Sequence, residues 1–492
     1  MKKVIIIGGG ISGLTAGILL QKKGFKTVIY EKNNVIGGLC SGWKKDGYFI
    51  DNCIHWLTGT NKNSSLYKLW EEVGALGNDV NLYEKEMMFR SKLNGEVLTF
   101  WRDKERTRKE MLELSITDSD EINKFIDAIY KTESMSSPVD KPFDKMKINE
   151  LLKLVKSVRQ MGEVMKEYKN MDLNDLAKRF KHPLIRQAFI DYIPSNYQAI
   201  AFISSYGTIT SGNGDVPKGG SLQMAMRMKQ KYQENGGSII FGNEVKKINL
   251  GKKKVTSITL DNGEIIDADY VICACDPSII FSSLLDASFM PKGLKKMYKE
   301  REKYPVNSAF QIAFGVDGKY DELTGTTMFT CDPITIGKSC KERMSVQAHD
   351  FEPTFSPDNK MIIQSSFVQN ETDYAYWESL FNNPTLYNQE KERLGNEVLK
   401  RLLKEYPYLK NKVHILDVWT PVSYVKRCKC YHGAYMSFVM SKYGKRIIVP
   451  GKIKKVKNIF LASQWLMAPG GLPTAVTMGK FAAWRVINDK SN

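Results

Sequence analysis

The chain opens with Lys3-Val4-Ile5-Ile6-Ile7-Gly8-Gly9-Gly10-Ile11-Ser12-Gly13-Leu14, and the unit begun there closes at Val28-Ile29-Tyr30-Glu31. The β-branched run predicts a buried strand, the glycines a tight turn, and Val28-Ile29-Tyr30 a second strand. Between them Leu14, Ile18 and Leu19 give a helix its apolar stripe, and Gly24 ends it. Gly8, Gly10 and Gly13 fit the G-x-G-x-x-G spacing: the first allows the tight turn, the second lets backbone approach a pyrophosphate, and the third lets helix pack on strand. Ile11 and Ser12 open the helix, whose N-terminal end faces the phosphates. Glu31 arrives eighteen residues after Gly13, at the tip of the second strand, where its carboxylate can hold a ribose hydroxyl and would repel a 2′-phosphate. A glycine turn alone is common; the complete strand, turn, helix and strand make this a dinucleotide site.

The next segment separates FAD from a nicotinamide. Glu31-Lys32-Asn33-Asn34-Val35-Ile36-Gly37-Gly38-Leu39 resembles the stretch after the second strand in FAD-dependent amine oxidases and phytoene desaturases, where a Gly-Gly pair lets backbone lie against the cofactor. The resemblance implies cofactor contacts at Lys32, Gly38 and Leu39. Gly47-Tyr48-Phe49-Ile50-Asp51-Asn52-Cys53-Ile54-His55-Trp56 resembles the family's strand and turn beside the flavin, and Asp51 with His55 fits the retinol saturase and carotenoid isomerase branch best. Near the other end, Asn458 to Trp465 followed by Pro469-Gly470-Gly471-Leu472-Pro473-Thr474-Ala475 resembles the C-terminal FAD signature. Gln464, Gly471, Leu472, Thr474 and Ala475 would then meet the flavin. A helix N-terminus placed there stabilises the negative charge of reduced flavin near N1 and O2. The family's adenine contact, made through backbone, matches Val245.

The 492 residues are 42% hydrophobic, enough for a substantial core and two or three domains. Net charge is +18, but the lysines are scattered, as in Lys252 to Lys254 and Lys452 to Lys457, without a nucleic-acid motif or interleaved aromatics. No nucleic-acid partner is expected; an ordinary solvated surface is the first reading and peripheral contact with an anionic membrane the second. The eight cysteines include the C-x-C pairs Cys273/Cys275 and Cys428/Cys430, but neither C-x-x-C nor metal-ligand spacing with the five histidines. Reduced thiols and no metal are expected. The first strand starts at Lys2, leaving no secretory signal before it, so the reading is cytoplasmic, with the inner membrane face as a peripheral site. Asn458 to Met478 lacks charge, yet Pro469, Gly470, Gly471 and Pro473 interrupt it, which rules out a continuous membrane-spanning helix there.

Five stretches follow from the patterns. Residues 1–100 hold the first part of a glutathione-reductase-like, discontinuous Rossmann-type FAD domain and the start of a substrate-facing sheet. Residues 101–205 form a helical cap, 206–282 the second FAD part, 283–420 a mixed-sheet substrate domain, and 421–492 the third FAD part; the class is α/β. Within the cap, Ile148 to Tyr168 reads as one basic amphipathic helix, with Ile148, Leu151, Leu152, Val155, Val158 and Met165 on one face. It is an ordinary cap helix or a lipid-interface helix. In the second FAD part Ser221 is expected to cap a helix that Gly236-Gly237 ends. Asp261-Asn262-Gly263 predicts a hairpin.

The implied activity, with non-covalently held FAD, is hydride transfer at flavin N5 to or from a C–C or C=C bond (desaturation, saturation or isomerisation) of a long apolar substrate: a carotenoid, retinoid, other isoprenoid or fatty-acyl chain. No second G-x-G-x-x-G follows a strand, so electrons enter or leave through an external donor or acceptor. His55 either donates a proton or orients its loop. Tyr192, Tyr197, Phe202 and Met224 are candidates for lining an apolar tunnel. Two alternatives remain open. One is an amine or porphyrinogen oxidase, for which Trp465 is the sole aromatic candidate near the flavin; the other is a non-catalytic lipid-binding escort on the same fold.

Overall fold

The computed structural model describes residues 2–133, 139–157 and 159–489, with backbone alone over 153–157 and 159–160. Strand Lys3–Ile7 lies between Lys26–Glu31 and Tyr270–Cys273, and Ser238–Phe241 and Ile459–Leu461 complete a parallel five-stranded sheet. Three distant parts of the chain therefore meet in one sheet. The run Val4, Ile5 and Ile6 is fully buried because helices or loops cover both faces, as a parallel sheet requires. Helix Ile11–Gln21 is apolar all round, packing against Gly471–Ile487 and Gly220–Glu234.

A second, mixed sheet runs in the order Val413–Trp419, Ser308–Asp317, Lys360–Gln369, Ser339–Ala348, Thr326–Ile336, Met87–Leu93 and Glu96–Trp101. Its neighbours are antiparallel except Thr326–Ile336 with Met87–Leu93. Phe310, Ile312, Phe314, Met344, Val346 and Ile363 point to one face and form a core with Trp377, Leu394, Val398 and Leu402 of helices Glu371–Phe381 and Pro384–Glu405. The alternate residues point the other way, toward a cavity between this sheet and the rest of the molecule.

Helices between Lys104 and Thr210 cap that cavity around a cluster of Phe89, Phe100, Phe125, Phe189, Phe202 and Tyr206. Phe100 and Phe202 lie edge to face at 5.3 Å, Phe125 and Phe189 at 5.0 Å, geometries that add about 0.5–1.5 kcal/mol each beyond area burial. Helix Ala199–Thr210 turns Phe202, Ile203 and Tyr206 into this core and leaves Ala201, Ser204 and Thr208 on the cavity.

Several expectations need correction. The Ile148-to-Tyr168 segment is two helices, Ile148–Ser157 and Arg159–Tyr168. Of the named apolar face, Ile148, Leu151 and Leu152 are exposed and Met165 lines the cavity, whereas Val155 and Val158 lie outside the described side chains. Ser221 is not an N-cap: Gly219, at φ 85°, takes that place because the chain enters the helix from a left-handed turn, and the Ser221 hydroxyl instead accepts the Ile54 N–H at 2.8 Å. Phe202 and Met224 sit in cores and do not line the cavity, while Tyr192 and Tyr197 do. No helix among the described residues is long and apolar enough to cross a membrane.

Candidate functional site

The cavity has a volume of about 1710 Å³, beyond the roughly 300–1,000 Å³ of an ordinary ligand pocket, so it has room for a dinucleotide and a second molecule. Gly8, Gly10, Ile11, Ser12, Glu31, Lys32, Gly38, Leu39, His55, Val245, Gln464, Gly471, Leu472, Thr474 and Ala475 all lie on its wall. Gly13 does not; a Cβ there would come within 2.0 Å of the Gly8 carbonyl oxygen, so its task is helix-to-turn packing.

At one end the wall is backbone. A Cβ added to Gly10 would meet no protein atom nearer than the Gly37 carbonyl oxygen at 3.9 Å, so the space it would enter belongs to the cavity. The first turn of helix Ile11–Gln21 has no side-chain cap, which leaves its amides to a ligand. Glu31 is 5% exposed; one oxygen accepts the Gly9 N–H at 2.8 Å and the other the Asn33 backbone N–H at 2.9 Å. The Asn33 side-chain amide also donates to that second oxygen at 2.8 Å, so Glu31 braces the glycine turn and keeps a lone pair for a hydroxyl on the oxygen that faces Gly9. The Arg427 guanidinium is a contributor that sequence reading missed. Its Nε donates to the Gly38 carbonyl at 2.9 Å, while its Nη2 is buried without a protein partner, in a residue that lines the cavity. A buried guanidinium nitrogen needs an acceptor, and a diphosphate supplies one. Open space at Gly10, free helix amides and an unpartnered cation together fit FAD.

At the far end of this cradle Pro469, Gly470 and Gly471 bring in helix Gly471–Ile487, again without a side-chain cap, and Gln464 Oε1 accepts the Gly471 N–H at 2.7 Å. Cys40, Cys53, Cys275 and both members of the Cys428/Cys430 pair line the cavity as free thiols. Burial drives Cys275 and Cys428 up to about 12 and Cys430 up as well, while Cys40 is raised first by its hydrogen bond with Cys53 and then by burial. Protonated thiols are poor nucleophiles.

His55 lines the cavity and is exposed; the protein packed around it first, then the Lys85 charge, lower its pKa to about 4 against the opposing hydrogen bond of Gln347. Lys85 is itself buried, donates to the His55 carbonyl at 3.1 Å and is pulled down to about 8 by burial. Behind His55 stands His349, pushed down to about 3 by burial and then by His55. Neutral imidazoles are therefore the resident forms at neutral pH.

Beyond His55 the two walls differ. The cap contributes Tyr192, Ile193, Tyr197, Ile200 and Ala201, the sheet Gln311, Thr326, Ser345, Gln347, Gln364 and Ser366. Trp465 packs edge to face on Phe438 at 5.0 Å, and it is joined on the wall by Tyr424 and Tyr435, which the sequence reading had not weighed. Among the described residues the lining carboxylates are Glu31, Asp191, Glu244 and Asp276, each already held by its own chain. Asp191 takes both arms of Arg343 and the Ser91 hydroxyl, Glu244 pairs with Lys429, and Asp276 accepts Ser278 N–H and Tyr431 N–H at 2.8 Å.

Comparison with known proteins places this geometry. Residues 11–487 match the family described as flavin containing amine oxidoreductase. A 4,4'-diaponeurosporene oxygenase of Staphylococcus aureus (strain MW2) is 23% identical over 499 aligned residues, covering 99% of this chain and 98% of that protein. Among solved structures, an oxidoreductase from Methanosarcina mazei superposes with a TM-score of 0.62 at 16% identity, covering 99% of this chain and all of that one. Putrescine oxidase bound to putrescine does so at 0.61 and 14% identity, with 99% of each chain covered.

Proposed function

The chain belongs to the flavin-containing amine oxidoreductase family, and from that premise we propose that it oxidises or reduces a C–C or C=C bond of a long apolar substrate, a carotenoid or another isoprenoid chain. FAD is the cofactor, and when bound it supplies hydride acceptance or donation at N5. The observation that carries the substrate class is the state of the lining carboxylates. An amine arrives as an ammonium and is best met by a free anion, whereas each of the four lining carboxylates is already engaged within the protein. The name of the staphylococcal relative points the same way.

In this reading the chain does four things. The Gly10 turn, the amides after it and Arg427 hold the diphosphate, while Glu31 meets the ribose. The helix begun at Gly471 places its positive end at the flavin pyrimidine. The cap wall of Tyr197, Ile200 and Ala201 excludes water from the chain-like substrate. His55, held by Gln347 and anchored through its carbonyl by Lys85, positions the substrate and the loop as a neutral group, since a pKa of about 4 leaves little imidazolium to donate a proton at neutral pH.

Substrate would reach the cavity from a membrane. Lys169, Lys445, Arg446 and Tyr443 are exposed residues that also line the cavity opening, and Ile148, Leu151 and Leu152 stand exposed on the helix before the one whose Met161 and Met165 reach the cavity. Cations with exposed aromatic and aliphatic side chains suit peripheral contact with anionic lipid. The test presents both flavin states to isoprenoid, carotenoid and fatty-acyl panels in vesicles, with polyamines and porphyrinogens as controls. The reading expects bleaching or recovery of the flavin band with the apolar panels alone. Turnover of an amine alone would refute it, and tight lipid binding with no change of flavin state would favour an escort.

A further inference from the structure

The hairpin of Gly42–Lys45 and Tyr48–Asp51 turns at Asp46 and Gly47, whose φ angles are 49° and 83°, and pairs Gly42 with Asp51. A two-residue turn closes on a hydrogen-bonded pair, here Lys45 with Tyr48, and such pairs then alternate along an antiparallel ladder. Ser41 and Asn52 fall on a hydrogen-bonded position, and the Asn52 N–H does donate to the Ser41 carbonyl, at 3.1 Å. One step further the register sets Cys40 opposite Cys53 at a non-hydrogen-bonded position, where Cα atoms stand about 4.5 Å apart and side chains are closest. That separation lies inside the roughly 4.4–6.8 Å that a disulfide spans.

The side chains agree with the register. Both thiols are free, both residues line the cavity, and the Cys53 thiol is a hydrogen-bond partner of Cys40. Cys40 is 1% exposed, and its Sγ also donates to the Ser221 carbonyl at 3.1 Å. Cys53 is half-buried, so it is the sulfur that a molecule in the cavity can meet. The C-x-C pairs of the sequence, Cys273/Cys275 and Cys428/Cys430, are neighbours along the chain; Cys40 and Cys53 are neighbours across it. A single buried cysteine acts as a small apolar filler, but two opposed thiols on a cavity wall make a two-electron couple.

We propose that Cys40 and Cys53 form a reversible dithiol–disulfide pair in the cavity wall, oxidised by exchange with a small disulfide and reduced again by thiols. The Cys53 sulfur attacks one sulfur of the incoming disulfide, whose S–S bond breaks, and the first partner thiol leaves with the proton that Cys53 gave up. Cys40 then attacks Cys53 Sγ, the mixed disulfide breaks, and the second partner thiol leaves with the proton of Cys40. Two electrons pass from the protein to the partner, whose two sulfurs end as thiols. Exchange draws on the thiolate fraction, so the raised pKa of Cys40 slows the second step without preventing it. The bond joins the segment following Gly38, whose carbonyl takes Arg427, to the one leading into His55, and so fastens the cofactor end of the wall to the substrate end. None of this depends on which substrate the cavity takes.

The test exposes intact, FAD-loaded protein, first reduced and then freed of reductant, to bis(2-hydroxyethyl) disulfide mixed with 2-mercaptoethanol in graded ratios. Remaining thiols are alkylated after an acid quench, and intact mass and tryptic peptides are read. Lys44 and Lys45 let trypsin cut between the two cysteines, so the bond shows as residues 33–44 joined to 46–62. The expected result is one bond, Cys40 to Cys53, complete at a disulfide-to-thiol ratio about tenfold below that needed to couple any other pair, and undone by dithiothreitol. Cys40→Ser, Cys53→Ser and Cys53→Ala should each abolish it, with flavin content and melting temperature as controls for folding. Cys428→Ser should leave it intact, although the Cys428 thiol also feels Cys53. Cys53 persisting as a mixed disulfide with mercaptoethanol would overturn the proposal, as would a Cys53–Cys428 bond, or thiols that stay reduced while the unfolded protein oxidises normally.

Discussion

The cofactor end and the substrate end of one cavity are made of different material. Around Gly8 to Gly13 and Gly470 to Gly471 the wall is backbone, and its specificity comes from where side chains are absent. Beyond His55 the wall is side chains, aliphatic and aromatic with the hydroxyls of Ser204, Ser205 and Thr208 from the cap, amide and hydroxyl with Ala309, Met328 and Val368 from the sheet. A backbone wall recognises one ligand and tolerates little change; a side-chain wall can be retuned residue by residue while the fold stays.

The largest expected effect strikes the backbone wall. Gly10→Val should yield protein with almost no flavin, because the branched side chain fills space that only the cavity occupies; near-normal absorbance at the flavin band would break the comparison. The next concerns the junction of the two ends. Asp51 receives the Ser221 N–H on both oxygens at 3.1 Å, and its carbonyl accepts Gln364 Nε2 at 2.9 Å, yet burial lifts its carboxyl to about 7. Because the folded pKa lies above the ordinary 3.8, the folded state holds a proton that the unfolded state has released. Its contribution is therefore full below pH 4 and disappears as pH rises through 7. Asp51→Asn should flatten the fall of melting temperature between pH 4 and 7, a difference bounded by roughly 4 kcal/mol. Parallel curves for the two proteins would contradict this.

Arg427→Ala tests whether the backbone end relies on one side chain. FAD affinity should drop by about 1.5–3 kcal/mol, roughly 10- to 100-fold, with the melting temperature of the flavin-free protein little changed. A flavin affinity equal to that of the unaltered protein would leave the cradle to backbone alone. The smallest effect is at the surface: Leu151→Ser with Leu152→Ser should weaken sedimentation with anionic vesicles by about 1 kcal/mol per side chain. No change would move membrane contact elsewhere on the molecule.

The same difference in material governs what could be read before the structure. Gly8, Gly10 and Gly13, and the Pro469-to-Ala475 turn, are local patterns whose spacing is the geometry itself, so the cradle was visible in sequence. Arg427 was not, because it lies about forty residues before that turn and reaches the Gly38 carbonyl only through tertiary folding. Ser221 misled because a hydroxyl near a helix start looks like a cap, while Gly219 makes the turn and the hydroxyl serves Ile54. A signal for the polar wall did exist: Ser345-Val346-Gln347 alternates polar and apolar residues and Gln364-Ser365-Ser366 is a polar run between Ile363 and Phe367, both on central strands, where a polar stripe has no solvent to face.

The order of strands in the parallel sheet also has a consequence for birth of the protein on the ribosome. The glycine turn is translated long before the edge strand Ile459–Leu461 that completes its sheet and the helix Gly471–Ile487 that packs on its helix. A nascent chain therefore displays half a cofactor cradle until those later segments emerge, and a chain stopped short of residue 459 could never finish it. Flavin capture would then report that both distant halves of the cradle have been made and have met, and yellow colour in a purified sample would show their union before any assay was run.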